Sequence, residues 1–321
     1  MYGHGFPQCT DTVFPCLYKS KRLPYLPFDI EPVKMQDMCK SALTFIMMKA
    51  YKAFPWNWVS RICGAVLAIE LPRPFNELSV WLFATYYNCK RSEAEFEYKE
   101  YSCVSDFFIR RLKPGLRPIS NCNVVSPADG TLTFQGPVVD GQLQQVKGVR
   151  YDMKKFFGHL DGIPETALFQ AVIYLGPSDY HRFHSPAHWT VQQRRHFSGT
   201  LYSVAPAYTH WMPGLFHTNE RVCLMGTWHY GFFSMTAVGA TNVGSIVLNF
   251  DKQLSTNNNA GQMFTEKLFA EDNEGVELKP GDEMGYFKFG STIVLIFEAP
   301  TNFQWQKSIK DQVKVGGGLM M

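Results

Sequence analysis

The sequence predicts an α+β chain, with N-terminal amphipathic helices followed by a mostly antiparallel β domain. Two observations carry that expectation. Between residue 41 and about residue 90, apolar side chains recur at helical spacing: Leu43, Ile46, Met47, Ala50 and Phe54, then Trp58, Ile62, Ala65, Val66 and Ile69. From about residue 100 the pattern changes to short apolar runs bounded mostly by Gly, Pro or Asn: Ala167–Tyr174, Phe232–Val238, Ser245–Phe250 and Ile293–Phe297. A chain of 321 residues can bury one large core with a smaller appendage, and no internal repeat divides it.

Residues 1–40 are rich in proline and have no period, so they read as an irregular leader. Residues 41–100 read as helices punctuated by Pro55, Pro72 and Pro74. One face of such helices can pack on the core. Trp56, Trp58, Trp81, Tyr86 and Tyr87, with Lys49, Lys52 and Arg61 nearby, suit another face to a lipid headgroup boundary. Residues 101–321 form the β-rich part. There Ile293–Phe297 is apolar at every position, as a strand buried on both faces would be. Ser255–Gly261, with three consecutive asparagines, reads as an exposed loop.

Bulk composition excludes several classes. With 45% hydrophobic residues the chain is no disordered polymer. A net charge of +3, with the basic groups scattered, argues against a nucleic-acid binder. Eight cysteines without a CxxC pair argue against a zinc ribbon or a dense disulfide framework. No run reaches the roughly 20 apolar residues of a spanning helix. The N-terminus has neither a secretory pattern nor a good mitochondrial transit pattern, so a native targeting leader is not evident in this chain.

Three short motifs could carry chemistry. Gly290-Ser291-Thr292 precedes the apolar strand; alone it reads as a strand-entry turn. Tyr180-His181-Arg182-Phe183-His184-Ser185-Pro186 places two histidines three apart after a strand. His181, His184 and His188 are close enough to suggest a metal, but no carboxylate or cysteine completes a ligand set and HExxH is absent, so no metal is expected. Ser126-Pro127-Ala128-Asp129-Gly130 reads first as a turn. Together the motifs supply Asp129, His184 and Ser291: a hydroxyl, a base for its proton and a carboxylate to fix the base. A serine hydrolase would need the same kit, yet the GxSxG elbow is missing.

These motifs sit in a longer series. Phe107-Phe108-Ile109-Arg110-Arg111-Leu112 with Arg117-Pro118-Ile119 comes first, then Ser126–Gly130, Lys147-Gly148, Asp179-Tyr180-His181 and Phe183–Pro186. Asn219-Glu220-Arg221, Val238–Ser245 and Gly290-Ser291-Thr292 complete it. In this order the blocks resemble the phosphatidylserine decarboxylase family, most closely its animal mitochondrial type, over roughly residues 70–300.

The resemblance implies a proenzyme that cuts itself at Gly290–Ser291, leaving residues 1–290 (the β chain) and 291–321 (the α chain). Ser291 is then converted to a pyruvoyl group, the covalent cofactor, which forms the Schiff base with the serine headgroup of phosphatidylserine. By the same resemblance Asp129, His184 and Ser291 form the self-cleavage triad, and His181 donates the proton in decarboxylation. Phe183, Thr241, Asn242 and Gly244 are the expected substrate-binding residues; the glycine-rich Val238–Ser245 segment could hold a headgroup anion on its N–H groups, or be a tight turn. The implied setting is a membrane, the mitochondrial inner membrane by analogy, with phosphatidylserine as partner and no nucleic acid. The two chains are expected to stay together, and a homodimer is left open. Phe289 departs from the family's usual leucine and His188 from a common aspartate, and the tail after Gln304 matches poorly. Two rivals remain at this point: a hydrolase using Asp129, His184 and Ser291, and a lipid-binding relative that never cleaves.

Overall fold

The computed structural model describes residues 45–321 except 147, 165–166, 210–211, 242–244, 259–263 and 270–274. The expected leader, residues 1–40, lies outside them, as do Asn242 and Gly244. Residues 50–321 form one compact unit; residues 45–49 are helical and belong to a separate N-terminal unit.

The helical expectation holds. Helices Trp56–Leu67 and Phe75–Tyr86 each follow a proline, Pro55 and Pro74, whose fixed φ suits a helix start. Asn76, Val80 and Ala84 fall on one face of the second helix and are buried. Val80 and Ala84 join Tyr98, Tyr101, Val104 and Phe107 in a small core of their own. The opposite sides of both helices are exposed and apolar: Trp58, Ile62 and Val66 on one, Phe75, Leu78, Leu82 and Tyr86 on the other.

The β domain is built on a nine-stranded sheet whose pairings are all antiparallel. Strand Ser291–Glu298 lies in its middle, paired on one side with Leu168–Leu175 and on the other with Gly231–Gly239. Its alternation explains the unbroken apolar run. Ile293, Leu295 and Phe297 enter one core cluster, and Val294 and Ile296 enter the cluster on the other face. Burying a side chain of this kind stabilises by roughly 1.5–3 kcal/mol, so these five make this strand one the fold depends on.

A smaller sheet positions the histidine motif. In it Arg182–His184 pairs with Glu283–Phe287, which pairs in turn with Ile246–Leu248. Only residues 288–290 separate Phe287 from the central strand. The C-terminal tail is structured too: Gln312–Val313 pairs with Gly130–Thr131, and Gly318–Met320 with Val124–Val125. The Ser255–Gly261 loop needs one correction. Thr256 is buried, because its hydroxyl accepts the N–H of Ile246 at 2.8 Å and ties the loop to a strand end.

Candidate active site

Ser291 is the first residue of the central strand, opposite Leu175 and Gly239. Its side chain is fully buried, and among the described residues its hydroxyl has no hydrogen-bond partner. An unsatisfied buried hydroxyl is costly, and among the described residues Ser291 shares that state with six others, Thr292 beside it included; what sets Ser291 apart is its place at the head of the strand, beside a cavity. Ser291 lines a cavity of about 290 Å³ walled by Tyr51, Trp56, Tyr174, Tyr208 and Thr241. The helical region supplies two of these walls and is pinned there. Asn57 donates to the carbonyl of Gly199 and accepts from the N–H of Leu201, and the Tyr51 hydroxyl accepts from the N–H of Ser203. Thr241 donates to the carbonyl of Leu201 at 2.8 Å.

The two histidines differ in exposure and share a tautomer. His184 Nδ1 lies 2.8 Å from the carbonyl oxygen of Gly281, which can only accept, so Nδ1 carries the proton. Nε2 is then an acceptor, and the Tyr180 hydroxyl donates to it at 3.1 Å. Burial lowers the pKa of His184, against the Gly281 carbonyl and the charges of Glu283 and Asp129, which raise it. His184 faces a second cavity, of about 400 Å³, together with Tyr180, Arg111, Lys113 and Arg117. His181 is fully buried, with Nδ1 donating to the carbonyl of Asp179 at 2.9 Å. Its Nε2 is buried and has no partner among the described residues. Burial pushes its pKa down to about 3, so the ring is neutral near pH 7.

Asp129 is placed differently from a simple triad. Its carboxylate is clamped by Arg117, whose Nε lies 3.0 Å from Oδ1 and whose Nη2 reaches Oδ2, and it accepts the N–H of Val315 at 2.9 Å. Arg117 also pairs with Glu93, and Lys314 lies 3.3 Å from the other Glu93 oxygen. Burial works to raise the Glu93 pKa, but hydrogen bonding and charge from Arg117 and Lys314 overcome it and hold the carboxyl at about 2. Asp129 therefore bonds Arg117 and the C-terminal tail, and the partner that orients His184 is Gly281. Asp129 lines a third cavity, of about 190 Å³, with Arg110 and Asp179; Tyr180 is common to this cavity and that of His184.

The structure thus sets Ser291 with Thr241, His184 with Tyr180, and Asp129 with Arg117, in three neighbouring settings. Phe183 is fully buried against Phe287, with ring centroids 5.0 Å apart, and serves the core. His188 makes an exposed pair with Glu277 at 2.8 Å, a surface contact of little energetic weight. Among the described residues no group of three His, Cys, Asp or Glu is arranged to hold a metal ion. Arg117, Tyr180 and Gly281 are the residues that motif reading missed as functional. Arg117 stood inside a quoted block, but an arginine twelve positions before an aspartate gives no local sign that the two will pair.

Removing the clamp has a large expected effect. Arg117→Leu leaves buried Asp129 and partly exposed Glu93 without their main counterion, which should cost about 3 kcal/mol, the lower end for breaking a buried pair. Urea unfolding of the variant beside the parent measures it. A loss below about 1 kcal/mol would mean that water or Lys314 replaces the guanidinium.

Comparison with known proteins agrees with this arrangement of motifs. A sequence model of the family described as phosphatidylserine decarboxylase matches residues 104–320. The "Phosphatidylserine decarboxylase proenzyme, mitochondrial" of Pongo abelii is 39% identical over 332 aligned positions, covering 94% of this chain and 78% of the relative. That of Caenorhabditis elegans is 41% identical over 278, covering 85% and 73%. "Phosphatidylserine decarboxylase proenzyme 1, mitochondrial" of Saccharomyces cerevisiae is 33% identical over 360, covering 83% and 72%. The chain belongs to the phosphatidylserine decarboxylase family. Its class is that of a carboxy-lyase, and its family reaction takes phosphatidylserine to phosphatidylethanolamine. The family match runs through residue 320, so it takes in the tail after Gln304, which was expected to match poorly. That tail also meets the site, since the backbone N–H of Val315 donates to Asp129.

Proposed function

We propose that this chain is a proenzyme that cuts itself between Gly290 and Ser291, converts Ser291 to an N-terminal pyruvoyl group, and with it decarboxylates phosphatidylserine at a membrane surface. The observation that carries this reading is where Gly290–Ser291 sits: the Ser291 hydroxyl is buried at the head of the central strand, has no partner among the described residues, and borders a cavity that Gly290 also lines. The proenzyme names of the relatives support it.

In self-cleavage, the Ser291 hydroxyl attacks the carbonyl carbon of Gly290. His184 takes the hydroxyl proton at Nε2, exchanging its Tyr180 partner for the serine. Asp129 acts on His184 through its negative charge, which favours the protonated ring. A pyruvoyl group has three carbons, the same as the serine it replaces, and the cavity beside Ser291 offers about 290 Å³, so the residues present fit it. That group supplies an electron sink for the carbanion left by loss of CO2. The strand fixes where it sits. His181, whose buried Nε2 has no partner among the described residues, delivers the proton that the substrate α carbon takes up after loss of CO2. Thr241 stands at the cavity wall and contacts the headgroup.

After cleavage the small chain stays bound, because Ser291–Phe297 remains buried in mid-sheet and residues 312–320 pair with the large chain. The exposed apolar sides of helices Trp56–Leu67 and Phe75–Tyr86 rest on the lipid surface and bring the cavity to its substrate. The mitochondrial inner membrane is the setting we assign, following the relatives' names.

Two measurements test this. Purified protein given phosphatidylserine vesicles should release CO2, and phenylhydrazine, a carbonyl reagent, should stop it; turnover indifferent to the reagent excludes a pyruvoyl group. Separately, Ile62→Glu with Leu82→Glu should weaken co-sedimentation with such vesicles about tenfold or more, since each buried apolar side chain contributes roughly 1.5–3 kcal/mol. Unchanged binding would remove these helices from the membrane face.

A further inference from the structure

The three residues joining the small sheet to the central strand have an uncommon backbone. Phe289 has φ 86° and Gly290 has φ 25°. Among the described residues, six non-glycine residues have positive φ, and three of them, Asn88, Asp140 and Asn257, are of types that tolerate it. Phe289 is the aromatic one among the six, and it stands two residues before Ser291. Both ends of the connection are fixed. Phe287 donates its N–H to the carbonyl of His181, and Lys288 to that of Ser245, each at 2.9 Å. At the other end Ser291 is already in register with Leu175 and Gly239. The Phe289 ring is buried and stacked on Phe108, with centroids 4.0 Å apart and planes 20° from parallel. Phe83 meets it edge-on at 6.0 Å, and Phe108 contacts the ring of His181 at 4.0 Å.

We propose that Phe289 and Phe108 are positioning residues for self-cleavage: the buried stack holds Phe289 in a left-handed backbone, and acyl transfer from Gly290 to Ser291 relaxes it. This rests on the reading that Gly290–Ser291 is the bond cut. In the step, the Ser291 oxygen bonds to the Gly290 carbonyl carbon and the bond from that carbon to the Ser291 nitrogen breaks. The hydroxyl proton ends on the released amine, so the step is an isomerisation and needs no co-reactant. An aromatic residue in this region of φ is strained, and it persists because strand register at both ends and the ring stack over-determine it. Once the acyl group leaves the nitrogen, residues 288–290 are no longer tied through that amide to the central strand. The strain is present before the step and released by it, so it raises the rate.

The test follows the disappearance of uncut chain in freshly synthesised parent, Phe289→Leu, Phe289→Asn and Phe289→Gly. Leucine keeps a bulky apolar side chain and a strained φ, and should cut within about threefold of the parent. Glycine adopts positive φ freely and should cut at least about tenfold more slowly, a change of about 1.4 kcal/mol in the barrier. Asparagine, which tolerates this region, should fall between. Hydroxylamine, which cleaves esters, should trap less ester product from the glycine variant than from the parent. Thermal melts of the same substitutions on Ser291→Ala separate folding from rate, and the asparagine variant serves if the glycine one does not fold. Rates that track melting temperature alone, or a glycine or asparagine variant cutting as fast as the parent, would overturn the proposal. An uncut parent would instead overturn the reading of the cleavage site itself.

Discussion

Replacing Ser291 with alanine is expected to leave one uncut chain of 36.7 kDa, folded and without decarboxylase activity. The hydroxyl oxygen is the nucleophile and then the leaving group on Cβ, departing with the Gly290 carboxylate, while the serine carbons become the pyruvoyl group and water supplies the ketone oxygen; alanine has no such leaving group. The variant should fold well. The Ser291 hydroxyl is buried without a partner among the described residues, and alanine removes it while keeping the Cβ that packs at the head of the strand. Losing an unsatisfied polar group should leave stability unchanged or raise it by about 1 kcal/mol. Gel analysis shows whether the chain is cut, and urea unfolding gives the stability. An alanine variant still cut at the same place would remove Ser291 from the chemistry. One that is uncut but much less stable would show that the hydroxyl has a structural partner.

Acid stability should change most at His181. Its folded pKa is depressed by burial to about 3, against an ordinary value of 6.5. Between those values the unfolded chain binds a proton that the folded chain refuses, so stability rises with pH. The contribution is fully present above about pH 6.5 and is lost as pH falls toward 3. Its full size is on the order of 4–5 kcal/mol. A phenylalanine at this position keeps the ring contact with Phe108 but cannot take a proton. On the Ser291→Ala background, His181→Phe should flatten the fall in stability across that window. At neutral pH it should cost about 1 kcal/mol for the lost bond to the Asp179 carbonyl. His184, His217 and His229 also have lowered pKa values from burial and account for part of the slope that remains. Identical slopes in the two proteins would mean that His181 is solvated in the folded state.

Much of the molecule was legible in the order of its residues. The period of Trp58, Ile62, Val66 and Ile69 marked a helix with an apolar side, and Ile293–Phe297 marked a strand buried on both faces because no position in it was polar. The turn at Gly290 and the entry of Ser291 into that strand followed from glycine beside an apolar run. What stayed hidden depends on contacts across sheets, which leave no period. Gly281 bonds His184 from 97 positions away, and Val315 reaches Asp129 from 186. Arg117 shares a quoted block with its neighbours, but nothing local says that it will clamp Asp129. Phe183 illustrates the reverse error of emphasis, since proximity to two histidines suggested substrate while its strand turns it into the core. Asn242 and Gly244, expected at the substrate, lie outside the described residues.

Self-processing at Ser291 is the central claim, and the intact mass of the purified, folded protein tests it most directly. The account predicts two masses, for residues 1–290 and 291–321, with the smaller lighter by one ammonia than a peptide beginning with serine. A single mass of 36.7 kDa from folded protein would contradict it.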